Sequence, residues 1–242
     1  MQTSLSDLRA TQQHTPPGEP VVGASSQLLV ALRATLVTLV VTGLAYPLVI
    51  TGLAQVMFPH RANGSIVTDD KGREVGSELL GQNFADPAYL HPRPSANSYD
   101  AANSGGTNLA VTSKKLREGQ KDDPATKDVD ESFTGVIDLA AAYRTENGLS
   151  DTTPIPADAV SRSASGLDPH VSPENAALQA ARIAKARGVA VDRVQAILDQ
   201  HTEGRDLGFL GEPHVNVLEV NLALDRSFGA PAHTAGGAER GK

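Results

Sequence analysis

Cysteine and tryptophan are both absent from this chain, and aromatic side chains make up only 4% of it. Without Cys there is neither a disulfide framework nor a thiolate metal site, so the fold rests on packing alone. Without Trp, and with few Tyr and Phe, the surface lacks the large rings on which nucleic-acid bases stack, and a net charge of −7 repels a phosphate backbone. Nucleic acid is thereby excluded as a partner class. Histidine offers no designed metal centre either. His14, His60, His91, His170, His201, His214 and His233 are scattered, with no His-x-His pair and no His-Glu-x-x-His helix.

Catalytic motifs are equally scarce. Ser163, in Ser161-Arg162-Ser163-Ala164-Ser165-Gly166, lacks the Gly two positions before and after it that a nucleophile elbow needs. Gly76-Ser77-Glu78-Leu79-Leu80-Gly81 has the glycine spacing of a phosphate loop. Gln82 and Asn83 nevertheless stand where Lys and Ser/Thr would neutralise phosphate and hold magnesium. No Asp-Lys-Thr-Gly-Thr phosphorylation motif occurs, so the chain is not a transport ATPase by itself. The acidic pairs Asp69-Asp70 and Asp122-Asp123 lie in turn-rich polar surroundings and read as solvated. Metal and catalytic sites are therefore both expected to be none.

One feature is abundant. From Ala34 to Phe58 no side chain is charged, and as a helix that run measures about 37 Å, enough to cross a bilayer. It is about twice the length of a secretory signal core and lies behind a polar tail, so it reads as a retained anchor over residues 28–58. Arg33 precedes the run and Arg61, Lys71 and Arg73 follow it. Taken literally, the positive-inside rule then puts the large domain in the cytoplasm. Arg61 serves equally as an interfacial anchor, and charge alone leaves the orientation open. Pro47 is expected to bend the helix, while Thr38, Thr42, Gly43 and Gly52 are small enough to admit a neighbouring helix.

Around the span, residues 1–27, with Pro16, Pro17 and Pro20, predict a disordered tail, and the Gly- and Ala-rich residues 229–242 another. Between them, 59–228 read as a single α+β domain. Short strands and loops come first, among Asn63-Gly64, Asp70-Lys71-Gly72, Pro87, Pro92 and Pro94. Arg117–Glu131 is a charged insertion or frayed helix. Phe133, Val136, Ile137, Ala140 and Ala141 predict a helix ending at Asn147-Gly148. Ser172-Pro173-Glu174 starts another by cap, fixed φ and dipole, with Arg182, Lys185 and Arg187 near its far end and Gly188 stopping it. A further helix carries Val194, Ile197 and Leu198 on one face. Alternation of Leu218, Val220, Leu222 and Leu224 with polar or small residues predicts a half-buried strand over Val215–Asp225.

Several polar clusters remain whose own chemistry is no more than turn formation and capping. In order behind the span they are Tyr46-Pro47-Leu48; Phe58-Pro59 with Ala62-Asn63-Gly64-Ser65; Gly76-Ser77 with Leu79-Leu80-Gly81-Gln82-Asn83-Phe84; and Tyr89, His91 and Arg93-Pro94-Ser95-Ala96. Then come Ser104-Gly105-Gly106-Thr107-Asn108-Leu109-Ala110; Ser163-Ala164-Ser165-Gly166-Leu167-Asp168 with Ser172-Pro173; Ala184-Lys185-Ala186-Arg187; and Pro213-His214-Val215-Asn216-Val217-Leu218-Glu219-Val220-Asn221-Leu222-Ala223-Leu224-Asp225. This set resembles the KdpC family, a subunit family of the Kdp-type potassium-transporting P-type ATPases, over most of residues 28–228. The tails and the charged stretch around 117–131 have no counterpart in it.

The resemblance implies an accessory, non-catalytic subunit of an ATP-driven potassium uptake complex in a bacterial inner membrane. Its partners there would be a channel-like potassium-translocating subunit, an ATP-hydrolysing P-type subunit and a small single-helix subunit. One family-level view makes KdpC a catalytic chaperone that raises the pump subunit's affinity for ATP through a ternary complex. Another sets its domain outside the cytoplasm, over the potassium path. The expectation adopted is a cytoplasmic N-terminus and an extracytoplasmic domain. If ATP is contacted, Ser104-Gly105-Gly106 resembles part of an ABC-type signature that meets phosphate. Gln179 resembles a family Gln that could hydrogen-bond a base or ribose, although an exposed helical Gln would look the same. No tightly bound cofactor is implied. From a different class, an anchored extracytoplasmic hydrolase or solute-binding module is the rival reading, and it requires convergent groups that the motifs do not supply.

Overall fold

The structure, a computed structural model, describes residues 23–122 and 132–231. The expectations for residues 1–22, 123–131 and 232–242 lie outside the described residues. The chain divides into two compact units, one ending at Ala62 and the other, the head, beginning at Asn63.

The first unit is one apolar helical rod, Ala24–Met57, of 34 residues, long and apolar enough to span a membrane. Its helix starts four residues earlier than the sequence pattern predicts. It comprises α1 (Ala24–Val40), a π-helical turn (Val41–Ala45) and α2 (Tyr46–Met57). Large side chains such as Leu36, Val40, Leu48 and Val56 are all exposed. The wide turn has a local cause. Pro47 has no amide to donate, and its ring would collide with the carbonyl four residues back; widening the preceding turn removes that clash. The Tyr46 amide bonds to the carbonyl of Val41, five residues earlier, and the Thr42 hydroxyl donates to the Thr38 carbonyl at 2.7 Å. A four-residue helix, α3 (Pro59–Ala62), ends the unit.

In the head, β1 (Ile66–Thr68) and β2 (Glu74–Ser77) form an antiparallel hairpin with an irregularity at Val67/Thr68. The Asp69 carboxylate closes its turn by accepting from the Lys71 and Arg73 amides, each at 2.9 Å. From Glu78 to Ser113 the backbone forms no helix or strand. Then follow α4 (Lys114–Glu118), α5 (Val136–Asn147) and a 3-10 turn (Ala157–Ala159). The remaining elements are β3 (His170–Val171), α6 (Pro173–Arg187), α7 (Val191–Gln200), β4 (Thr202–Glu203), β5 (His214–Asn216) and α8 (Val217–Phe228). The second sheet is antiparallel with β5 in the centre, in the order β3-β5-β4.

The core sits where α6, α7 and α8 meet this sheet. Ile183, Val194, Leu198, Val215, Val220 and Leu224 are all buried there, with Leu90 from the irregular stretch. Helix boundaries follow local signals. The Ser172 hydroxyl accepts from the Asn175 amide and Pro173 occupies the first turn of α6, while Gly188 closes it in the left-handed conformation at φ +66°. Gly148 does the same for α5 at φ +64°.

The expected strand over Val215–Asp225 is corrected. Only His214–Asn216 are strand; from Val217 the chain is helical. The Asn216 side chain accepts from the Glu219 amide and so caps α8, and Val217, Val220, Asn221 and Leu224 are buried at helical spacing.

Candidate functional site

The head's most unusual interior is polar. Asn175, Gln179 and Arg182 lie on one stripe of α6 and are buried to 1%, 1% and 8% exposure. They face α5 and the segment Asp86–His91. Arg182 is the hub. Its Nε donates to Asn147 Oδ1 at 3.0 Å, its Nη2 to Gln179 Oε1 at 2.7 Å, and its Nη1 to the carbonyls of Pro87 and Tyr89 at 2.6 and 3.0 Å. Burial pulls its pKa below the ordinary guanidinium value, against the opposing field of Glu146.

Gln179 completes the attachment. Its Oε1 accepts from the His91 amide at 2.8 Å, and its Nε2 donates to the His91 carbonyl at 3.1 Å and to Asn175 Oδ1 at 2.9 Å. Asn221 on α8 treats the preceding residue alike, accepting from the Leu90 amide at 2.7 Å and donating to the Leu90 carbonyl at 3.0 Å. Two buried amides therefore pair both backbone groups of two consecutive residues, Leu90 and His91, which no strand pairs. Arg187 adds a bond to the Ala88 carbonyl at 2.7 Å and an ion pair to Asp225 at 2.8 Å.

The remaining members of this network are consumed in the same way. Asp158 receives the Ser172 amide, the Ser172 hydroxyl and the Asn175 side chain at 2.7, 2.9 and 3.0 Å. The Tyr143 hydroxyl donates to Asn175 Oδ1 at 2.8 Å, and burial raises its pKa. His91 Nδ1 meets Glu146 at 2.8 Å, and that hydrogen bond holds the Glu146 carboxyl below its ordinary value.

These contacts correct one expectation about Gln179. It is not an exposed helical Gln, and its amide oxygen and nitrogen already bond to His91, Asn175 and Arg182, so no edge is presented outward. Ser104-Gly105-Gly106 lies elsewhere, zipped to the Ser163–Gly166 loop. The Ser104 hydroxyl and the Gly105 amide both donate to the Ser165 carbonyl, at 3.1 and 2.8 Å. A Cβ on Gly106 would stand 2.8 Å from the Ala164 carbonyl oxygen. Glycine is needed there for backbone to meet backbone. The Ser163 hydroxyl accepts from the Gly166 amide at 2.9 Å, which is turn chemistry. Ser104 and Gln179 line separate cavities, so the fold does not join the two nucleotide candidates. Thr38, Thr42, Gly43, Pro47 and Gly52 all lie on the apolar rod.

A hollow of about 890 Å³ is an open groove walled by Ile155, Pro156, Val171, Leu178 and Pro213. Sequence reasoning did not find it, because its walls come from four separate segments. Arg93, paired with Asp168 at 2.6 Å, and the rings of His170 and His214, edge to face at 4.4 Å, give it a polar side. Burial and then the neighbouring His214 lower the pKa of His170. The one hydroxyl–carboxylate pair described on its wall, Ser172 with Asp158 at 2.9 Å, is spent on capping α6, and among the described residues no three His, Cys, Asp or Glu side chains gather as a metal site. Its apolar walls suit it to take up apolar surface.

Similarity to known proteins covers both the rod and the head. The family described as "KdpC: K+-transporting ATPase, c chain" matches residues 28–226. A potassium-transporting ATPase KdpC subunit of Myxococcus xanthus is 52% identical over 206 residues, 84% of this chain and 90% of the relative. The KdpC subunit of Koribacter versatilis is 48% identical over 200 residues, 82% and 93% of the two chains. That of Mycobacterium tuberculosis is 46% identical over 202 residues, 83% and 98%.

Proposed function

The chain belongs to the KdpC family of potassium-transporting ATPases, and from that premise we propose that it holds a potassium-uptake complex together from outside the cytoplasm. It is an accessory subunit and not the catalytic one. The rod Ala24–Met57 crosses the membrane once with its N-terminus inside. The head leans on the channel-like potassium-translocating subunit and shapes ion access to it. The assembly also contains the ATP-hydrolysing P-type subunit and the small single-helix subunit.

The observation that carries this reading is a contrast. The rod offers apolar side chains along its whole length, whereas the head's polar interior is committed to fixing its own Asp86–His91 segment. Such a head is suited to presenting a rigid surface, and the rod to standing among other helices. Thr38, Thr42, Gly43 and Gly52 are the small positions at which neighbouring helices would approach closely, Gly52 on a different face from Thr38 and Thr42.

Two measurements test it. The detergent-solubilised chain is expected to co-purify with the other subunits, and replacing the rod by an unrelated apolar helix is expected to abolish both assembly and potassium uptake. Protease added to sealed right-side-out vesicles is expected to digest the head; a protected head would overturn the orientation. Protection would favour instead the cytoplasmic catalytic-chaperone role, in which the head raises the pump's ATP affinity in a ternary complex. In that role Ser104-Gly105-Gly106 would have to release Ser165 to reach a phosphate, and Gln179 would act by positioning His91.

A further inference from the structure

The loop between β4 and β5 carries three large apolar side chains into solvent. Leu207 is 82% exposed, Phe209 69% and Leu210 49%. Phe84 and Phe228 pack against the core and Phe133 is half-buried, so Phe209 is the one Phe of the head that is left outside. Exposed apolar clusters of this kind mark interaction sites when nothing in the monomer requires them.

The loop is rigid by construction. The Gly208 amide bonds to the Arg205 carbonyl at 3.1 Å, and the amides of Phe209 and Leu210 bond to the Asp206 carbonyl at 3.2 and 2.9 Å. Arg205 and Glu212 pair at 2.5 Å across its base. Leu207 itself has φ +52°, a conformation that a side chain such as Leu rarely adopts and that persists only where its surroundings enforce it. A preformed tip has little freedom to lose on docking.

Charge selects the kind of partner. Along the loop and its flanks Glu203, Asp206 and Glu212 outnumber Arg205, with Glu212 paired to Arg205 and Glu203 3.5 Å from His214; this acidic balance is repelled by anionic lipid headgroups and complements a basic rim on a protein. The chain continues from the tip through Glu212, Pro213 and His214, which line the apolar groove.

We propose that Leu207–Leu210 is a preformed apolar plug that seats in an apolar, basic-rimmed pocket on another protein subunit of the transporter. This rests on the accessory-subunit reading above. The test uses the full chain co-expressed with the other subunits, carrying Leu207→Ser, Phe209→Ser and Leu210→Ser together. Recovery of partner subunits is expected to fall by about ten-fold, in line with loss of aromatic and aliphatic anchors, while the melting temperature of the chain alone stays within about 2 °C. Because the chain has no native cysteine, Phe209→Cys accepts a single benzophenone label. Cross-links to a partner subunit support the plug; reaction with lipid alone or with water alone overturns it. Undiminished recovery of the triple variant also overturns it. Failure of the unaltered chain to co-purify would instead strike the accessory-subunit reading itself.

Discussion

Replacing Arg182 by Met removes a buried guanidinium at nearly constant volume and leaves its acceptors behind. Four oxygens lose a charged donor: the Pro87 and Tyr89 carbonyls, Asn147 Oδ1 and Gln179 Oε1. Gln179 Oε1 keeps the His91 amide. A hydrogen bond from a charged donor contributes about 1.5–3 kcal/mol, and an acceptor left buried without one costs about 1–3 kcal/mol. Against this, the desolvation that lowers the Arg182 pKa is relieved. The balance is a loss of about 3–5 kcal/mol. For a folded unit of 150–250 residues, each kcal/mol moves Tm by about 2–4 °C, so a drop of about 6–20 °C is expected. Differential scanning calorimetry of the full chain in one detergent, at one scan rate, measures it. Arg182→Lys keeps a charge but not the fork that reaches Asn147, Gln179 and the two carbonyls at once, and should recover no more than about half of the loss. A Met variant within about 2 °C of the unaltered protein, or a Lys variant equal to it, would refute the assignment of Arg182 as the fastener of Asp86–His91.

Ser172→Ala removes the cap on the Asn175 amide and one bond to Asp158; calorimetry should find about 1–2 kcal/mol less stability. Gly106→Ala drives a methyl against the Ala164 backbone, 2.8 Å from its carbonyl oxygen, and should cost about 1–3 kcal/mol. Hydrogen exchange should show the Gly105 amide losing protection first. The Glu146 carboxyl titrates below its unfolded value, first because of the His91 hydrogen bond. Its contribution is therefore complete above about pH 4.5 and is lost as pH falls through the folded value. Glu146→Gln should flatten the fall of Tm with pH in that acidic window, and an unchanged slope would contradict the coupling.

Legibility in the sequence tracked how local the cause was. The α6 boundaries could be read because cap, proline and stop glycine act within a few residues of Ser172 and Gly188. The buried face of α7 could be read from the spacing of Val194, Ile197 and Leu198. The segment after Asn216 could not, since apolar residues at 215, 217, 218, 220, 222 and 224 satisfy a period of two and a period of 3.6 alike. What decides it is the Asn216 side chain capping Glu219. The polar interior was hidden for a different reason. Asn175, Gln179 and Arg182 form the stripe that a solvent-facing helix surface would also show, and only Asp86–His91, far away in sequence, makes it an inside. The exposed tip had a faint signal, Leu-Gly-Phe-Leu-Gly between turn residues, in a chain short of Phe.

The π turn at Val41–Ala45 sets the bearing of the rod's second half. Each α-helical residue advances about 100° around the axis, and a π turn adds one residue to the circuit. Past Pro47, side chains therefore point about 100° away from where an uninterrupted wheel would draw them. Thr38 and Thr42 belong to one compass heading and Gly52 to another, so a single helical-wheel diagram misassigns one half of the rod. A polyleucine substitute of equal length would alter more than the side chains on offer: it would rotate the second half of the rod relative to the first.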